Sequence, residues 1–197
     1  MTIRVLVSVC MLLALAGCAA TPGPAATSLP AVATGPGFIE RSLSDGDAII
    51  GAQPGAIDFD ALRAAGVTRV VNVRGADEMT SLGFDEPATA AAAGMRYVNV
   101  PLAGASAYTP AALEAFAREM ALEDGGKLLL HCGSGSRAGL LYAAWLVQYR
   151  GQTPDAAMRT VAPLGLWPLP LERMLGRSLS LQFADPVESD SFEQGAD

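Results

Sequence analysis

A chain of 197 residues carrying 20 Asp and Glu against 13 Lys and Arg, and so a formal net charge of −7, suits one packed domain with appendages and offers no basic face for a nucleic-acid backbone. One His and three Cys, with no closely spaced Cys pair, leave the usual Cys/His metal sites without ligands, and nothing in the pattern calls for a cofactor. Long polyanions are disfavoured as partners, whereas one arginine pocket can still hold a single phosphate or sulfur oxyanion.

The first element is not part of a fold. Arg4, an apolar run over residues 5–15, and Leu15-Ala16-Gly17-Cys18 stand in the order of an export signal with a small-residue cleavage site. The run is too short for a spanning helix. Leu-Ala-Gly-Cys resembles the lipobox of bacterial lipoproteins, which implies a lipoprotein signal peptide over 1–18, acylation of Cys18 and a periplasmic location; the alternative is an ordinary signal with a chance Cys. By resemblance to enteric sorting rules, Ala19 and Ala20 form no inner-membrane retention signal, so outer-membrane anchoring is expected. Cys10 would leave with the signal and Cys18 would carry lipid, which makes Cys132 the one free thiol of the mature chain. Residues 19–37, rich in Ala, Pro and Gly, read as a tether, 38–184 as the domain, and 185–197, with five carboxylates, as an acidic disordered tail.

Within the domain, strand and helix patterns alternate. Residues 48–50 predict a short strand, 58–65 a helix ended by Gly66, and 68–73 a β-branched strand. Residues 86–93 predict an alanine-rich helix ended by Gly94, and 96–100 a strand. A helix over 110–122 is capped by Thr109 with Pro110 at its first position, 127–131 is an apolar strand, and a last helix starts at Pro154 behind Thr153. This order predicts an α/β fold: a mostly parallel central sheet with helices on both faces, and ligands at the carboxyl ends of its strands.

The strand at 127–131 runs into His131-Cys132-Gly133-Ser134-Gly135-Ser136-Arg137, after which residues 138–147 read as a helix with Tyr142, Trp145 and Leu146 on its buried side. Glycines at 133 and 135 are expected to adopt positive φ and turn backbone N–H groups inward, while the helix start adds unpaired donors. Arg137 supplies a planar fork for a tetrahedral oxyanion, and the combined field favours a thiolate at Cys132. Cys132 as a small buried hydrophobe is the structural alternative.

His131-Cys132-x-x-Gly135-x-Arg137 resembles the cysteine-based protein tyrosine phosphatase superfamily, and more closely its bacterial branch grouped with beta-lactamase-hydrolase-like phosphatase domains. Gly51-Ala52-Gln53-Pro54, Phe59-Asp60-Ala61-Leu62, Gly66-Val67-Thr68-Arg69-Val70-Val71-Asn72-Val73-Arg74 and Tyr97-Val98-Asn99-Val100-Pro101 extend the likeness over about residues 45 to 166. The resemblance implies a dual-specificity-phosphatase-like fold. It also implies that Cys132 attacks phosphorus to give a phosphocysteine, that Arg137 and the amides of Gly133, Ser134, Gly135 and Ser136 hold the equatorial oxygens, and that His131 tunes the thiolate through the loop backbone. The implied substrate is an aryl or activated phosphoester on a phosphate-bearing small molecule or a phosphotyrosine protein.

Two departures keep other chemistry open. Only four residues separate Cys132 from Arg137, one fewer than the familiar signature, and that spacing also resembles rhodaneses, where a Cys132 persulfide would carry sulfane sulfur. The stretch 101–108, where the superfamily places its general-acid Asp, holds no carboxylate. Asp85 or Glu86 on a flexible loop are the candidate general acids, with Tyr108 a weaker one, although surface positions are the simpler reading for both carboxylates and packing for Tyr108. Ala138 stands where many phosphatases place Ser or Thr. Asn72 and Arg74 end a strand near the loop and would orient it, but a water-facing Arg74 is the simpler reading. Residues 164–168 would close over the pocket or merely pack locally. Phosphatase, sulfurtransferase and non-catalytic oxyanion-binding module are therefore the three functions weighed.

Overall fold

Hairpin, crossover and cap signals build one five-stranded sheet in the computed structural model, which describes residues 42–165 and 170–179. The predicted signal peptide at 1–18 with Cys18, the tether at 19–37 and the acidic tail at 185–197 lie outside the described residues. The strands are β1 (Ser42–Asp45), β2 (Ala48–Gly51), β3 (Val67–Asn72), β4 (Arg96–Asn99) and β5 (Lys127–His131), in the order β1-β2-β5-β3-β4. Only β1 runs antiparallel, joined to β2 by a hairpin in which Gly46 adopts a φ of 57°. Sequence periodicity missed β1 because Ser-Leu-Ser-Asp has a single apolar residue and pairs only through the β2 edge.

Among the described residues seven α-helices accompany the sheet: α1 (Asp58–Ala64), α2 (Ala76–Thr80), α3 (Glu86–Ala92), α4 (Pro110–Met120), α5 (Ser136–Tyr149), α6 (Pro154–Val161) and α7 (Pro170–Leu175). Two start as their sequences predict, with Thr109 and Thr153 accepting the N–H groups of Ala112 and Ala156, and α3 gains a cap the sequence reading did not assign, Asp85 accepting the Ala88 N–H. Two were not predicted. Helix α2 has five residues and buries none of them, so it carries no apolar period to read, and α7 follows a proline-rich stretch that breaks any pattern.

Strand side chains alternate between two layers. Ile50, Val71, Leu128 and Leu130 face α4, α5, α6 and α7, whereas Ile49, Val70 and Leu129 face α1 and α3. Every residue from 138 to 147 of α5 is buried, which is why that segment is apolar on all sides. Trp145 packs on Phe116 edge-to-face at 6.3 Å and stacks on Tyr142 at 5.4 Å, placing the expected buried residues in the larger layer. Each wholly buried leucine of β5 contributes roughly 1.5–3 kcal/mol.

One transverse row ends the sheet: Gly51, His131, Asn72 and Asn99 are register partners across β2, β5, β3 and β4. The loops leaving these four residues converge at the carboxyl edge.

Candidate active site

The loop after β5 is gripped on both flanks. The Cys132 N–H donates to Gly51 O (3.3 Å), the Gln53 N–H to Gly133 O (3.3 Å) and the Val73 N–H to His131 O (2.9 Å), while Ala52 and Ser134 form an antiparallel bridge. The chain then turns into α5 at Gly135, whose φ of 94° only glycine adopts without strain. Gly133, expected to share that conformation, is not in the left-handed region; a single reversed residue suffices for so short a turn, and Gly133 instead leaves the mouth open and exposed. At the floor of the nest the Gly135 N–H donates to Cys132 Sγ at 3.1 Å, and Cys132 is wholly buried. The first-turn N–H groups of α5 add donors without intrahelical acceptors. Ser136 Oγ donates to Leu164 O (3.1 Å) and ties the loop to its surroundings, while Ser134 Oγ donates to Ser136 Oγ (3.4 Å) within the loop. Leu164 thus packs against the loop, while residues 166–169 lie outside the described residues.

Arg137 is held as a fork. Its Nη1 and Nη2 donate to Glu78 Oε2 and Oε1 at 2.7 and 2.5 Å, and Nη1 also reaches Leu102 O at 3.4 Å. The Arg137 hydrogen bonds, helped by the Gly75 amide and Arg74, pull the Glu78 carboxyl down to about 2, so Glu78 stays ionised and positions Arg137 rather than donating a proton. Sequence reasoning missed Glu78. The signal was a Glu at the third position of a helix opened by Gly75, whose N–H it accepts at 2.9 Å.

Behind the loop lies a buried polar cluster. Glu86 has no exposed surface and accepts from Gln53 Nε2 (2.5 Å), Asn72 Nδ2 (2.8 Å) and Tyr97 OH (3.1 Å), with His131 Nε2 at 3.2 Å from its Oε1. Burial raises the Glu86 carboxyl, and burial pushes His131 down to about 3, so the imidazole is neutral. Arg74 donates to Gln53 Oε1 (2.7 Å) and Glu78 O (2.8 Å), and its own amide donates to Asn72 Oδ1 (2.8 Å). The water-facing reading of Arg74 is therefore corrected: its side chain is 12% exposed, because Gln53 and α2 supply polar partners that a strand-end position alone does not reveal. The structure gives both candidate acids other tasks. Asp85 is an exposed cap of α3, and Glu86 is sealed beneath the loop with both oxygens occupied.

A cavity of about 670 Å³ opens over Arg137, walled by Leu102, Tyr108, Glu172 and Arg173. Tyr108 is half-buried within electrostatic reach of Arg137, Cys132 and Glu78, and burial raises its hydroxyl, so it stays a phenol. The α7 side of this wall was not foreseen. Among the described residues no group of three His, Cys, Asp or Glu is placed to hold a metal ion.

Residues 48–166 match the family model described as the Swiss Army Knife protein, DSP-PTPase phosphatase domain, and the chain belongs to that family. That family places it in the cysteine-based protein tyrosine phosphatase superfamily. A beta-lactamase hydrolase-like protein of Xylella fastidiosa is 38% identical over 96 residues, which are 48% of this chain and only 22% of that relative. Among solved structures, a DUF442 protein of Shewanella putrefaciens is 25% identical with a TM-score of 0.55, covering 68% of this chain and 87% of its own. PTPMT1 in complex with PI(5)P shares the fold at 20% identity and a TM-score of 0.58, over 67% of this chain and 90% of its own.

Proposed function

We propose that this protein hydrolyses aryl or otherwise activated phosphoesters through a phosphocysteine at Cys132. The observation that supports it is the Gly135 amide 3.1 Å from Cys132 Sγ, at the floor of a nest whose rim carries the forked Arg137. The thiolate attacks phosphorus, the ester P–O bond breaks, and the aryloxide leaves and is protonated from water. Water then attacks the phosphocysteine, the S–P bond breaks, and inorganic phosphate and the thiolate are released. Arg137 and the loop amides hold the equatorial oxygens throughout.

Among the described residues the one carboxyl lining the cavity, Glu172, spends an oxygen on the Leu179 N–H at 2.8 Å and Glu78 is ionised and committed to Arg137, so we read neither as a positioned proton donor to the leaving group. A positioned donor contributes ~10²–10⁴-fold, so its lack penalises alkyl phosphates far more than aryl ones, whose phenols have a pKa near ~10. Tyr108 gives the aryl group a wall to lie against. The substrate is a phosphate-bearing small molecule or a phosphotyrosine side chain, and the domain works tethered by Cys18 to the periplasmic side of a bacterial outer membrane, a placement supported by the lipobox.

Protein lacking residues 1–18 should hydrolyse nitrophenyl phosphate over a broad pH range, and Cys132→Ser should not; equal rates would end the proposal. Thiosulfate-to-cyanide transfer, with one sulfur added to the mass of Cys132, would assign sulfur transfer instead, and anion binding indifferent to Cys132 would assign a binding module. Labelled palmitate should enter the full chain and not Cys18→Ala.

A further inference from the structure

Helix α7 lies beyond the stretch 48–166 that matches the phosphatase family, yet it builds one wall of the cavity over Arg137. It is pinned there by Leu171 and Met174, both buried in the layer of α4 and α5. Its two charged residues face the cavity and are treated differently. Glu172 turns an oxygen onto the Leu179 N–H at 2.8 Å, within its own segment. Arg173, exposed at the cavity, donates from Nη1 to the O of Ala105, another of its lining residues, at 2.9 Å.

The electrostatics of the two arginines differ as well. Arg137 is matched by Glu78 and would receive the scissile phosphate. Arg173 forms no ion pair among the described residues and keeps donors beyond the one spent on Ala105. In a chain of net charge −7, an arginine held at a cavity rim by a neutral carbonyl is a cation presented to whatever enters.

Resting on the phosphatase reading, we propose that Arg173 is a specificity-determining residue that binds a second anionic group of the substrate. The preferred phosphoesters are then bis-anionic: aryl phosphates bearing a further carboxylate or phosphate on the same ring. The scissile phosphate sits in the nest on Arg137, the ring lies along Tyr108, and the second anion meets the fork of Arg173, a geometry suited to bidentate recognition.

Titration of full-length Cys132→Ser protein in detergent with phenyl phosphate and with 4-carboxyphenyl phosphate tests this directly. The carboxylated ligand should bind about tenfold tighter, the gap should close when Arg173→Gln is added, and Arg173→Lys should restore part of it. In the Cys132 protein the ratio of kcat/KM for the two substrates should fall about tenfold in Arg173→Gln, chiefly through KM. Equal affinities, or a preference that survives Arg173→Gln, would overturn the inference. If the binding preference stands while neither ester is turned over, the phosphatase reading falls and Arg173 keeps its role. If both are turned over without preference, only Arg173 loses it. If neither ligand binds, both readings fall.

Discussion

Cys132 and His131 are consecutive residues fixed by opposite kinds of matter. Cys132 joins the layer of Leu130, Ala138, Leu141 and the α4–α7 helices, where contact is apolar. The His131 imidazole stands 3.2 Å from Glu86 on the other side, at the edge of a polar cluster in which Glu86 is bound by Gln53, Asn72 and Tyr97 and Arg74 by Gln53. The apolar side holds the loop by volume and tolerates shape-conserving change. The polar side is nearer to all-or-none, because each partner removed leaves a buried donor or acceptor unsatisfied.

The largest expected effect breaks that contrast or confirms it. Glu86→Leu strands three donors and should cost about 3–5 kcal/mol, comparable with the roughly 2–5 kcal/mol of Leu130→Ala. The conservative pair should then diverge. Leu130→Met should cost under about 1.5 kcal/mol, whereas Glu86→Gln turns an accepting oxygen into a donor and should cost about 1–3 kcal/mol in denaturant unfolding. Equal costs for the two conservative variants would erase the distinction.

Glu78 belongs to neither side, being part-exposed at the mouth, and its replacement should separate activity from stability. Glu78→Gln loosens the fork on Arg137 and should lower kcat/KM for nitrophenyl phosphate by roughly 10- to 100-fold with little change in the unfolding midpoint. Gly75 opens the helix that carries Glu78, and a Cβ there would stand 2.8 Å from Ala103 Cβ. Gly75→Ala should therefore shift α2 and lower kcat/KM several-fold, and that loss should vanish in the Glu78→Gln background, as a double-mutant cycle would show.

The smallest effect is a pH slope. Unfolded His131 takes a proton near 6.5 and the buried imidazole only near 3, so between those values the unfolded state binds more protons. Stability is then complete above 6.5 and falls as pH drops through that window. Glu86, raised from 4.5, contributes with the opposite sign, its share being lost as pH rises. The chain has one His, so the slope between about pH 5 and 6.5 should flatten in His131→Gln, since ordinary carboxylates titrate lower. An unchanged slope would show that the imidazole is not held neutral.

Sequence reasoning reached the sheet, its parallel sense, two helix caps, the Cys132–Arg137 turn and the buried side of α5, because each is written in residues close together. Apolar period, a Thr before Pro, and glycine in a tight turn act within a few residues of themselves. It missed β1, α2 and α7, which have too little apolar pattern to declare themselves and take their structure from neighbours. The reading of Arg74 as water-facing failed for the same reason, since its partner Gln53 becomes a neighbour only through the order of the sheet, and Glu78 reaches it through α2, a helix with no apolar pattern.

What the chain determines by itself is therefore the strand, turn and helix that put a thiol beside the Gly135 amide at the start of α5, for local stereochemistry allows little else at that turn. What the tertiary structure decides is the company that turn keeps. Glu78 meets Arg137 across 59 residues, Glu86 meets His131 from a helix on the far layer, and α7 brings Arg173 to the mouth. Those meetings follow from which strand lies beside which, a global minimum of burial and hydrogen bonding that no short window of sequence contains.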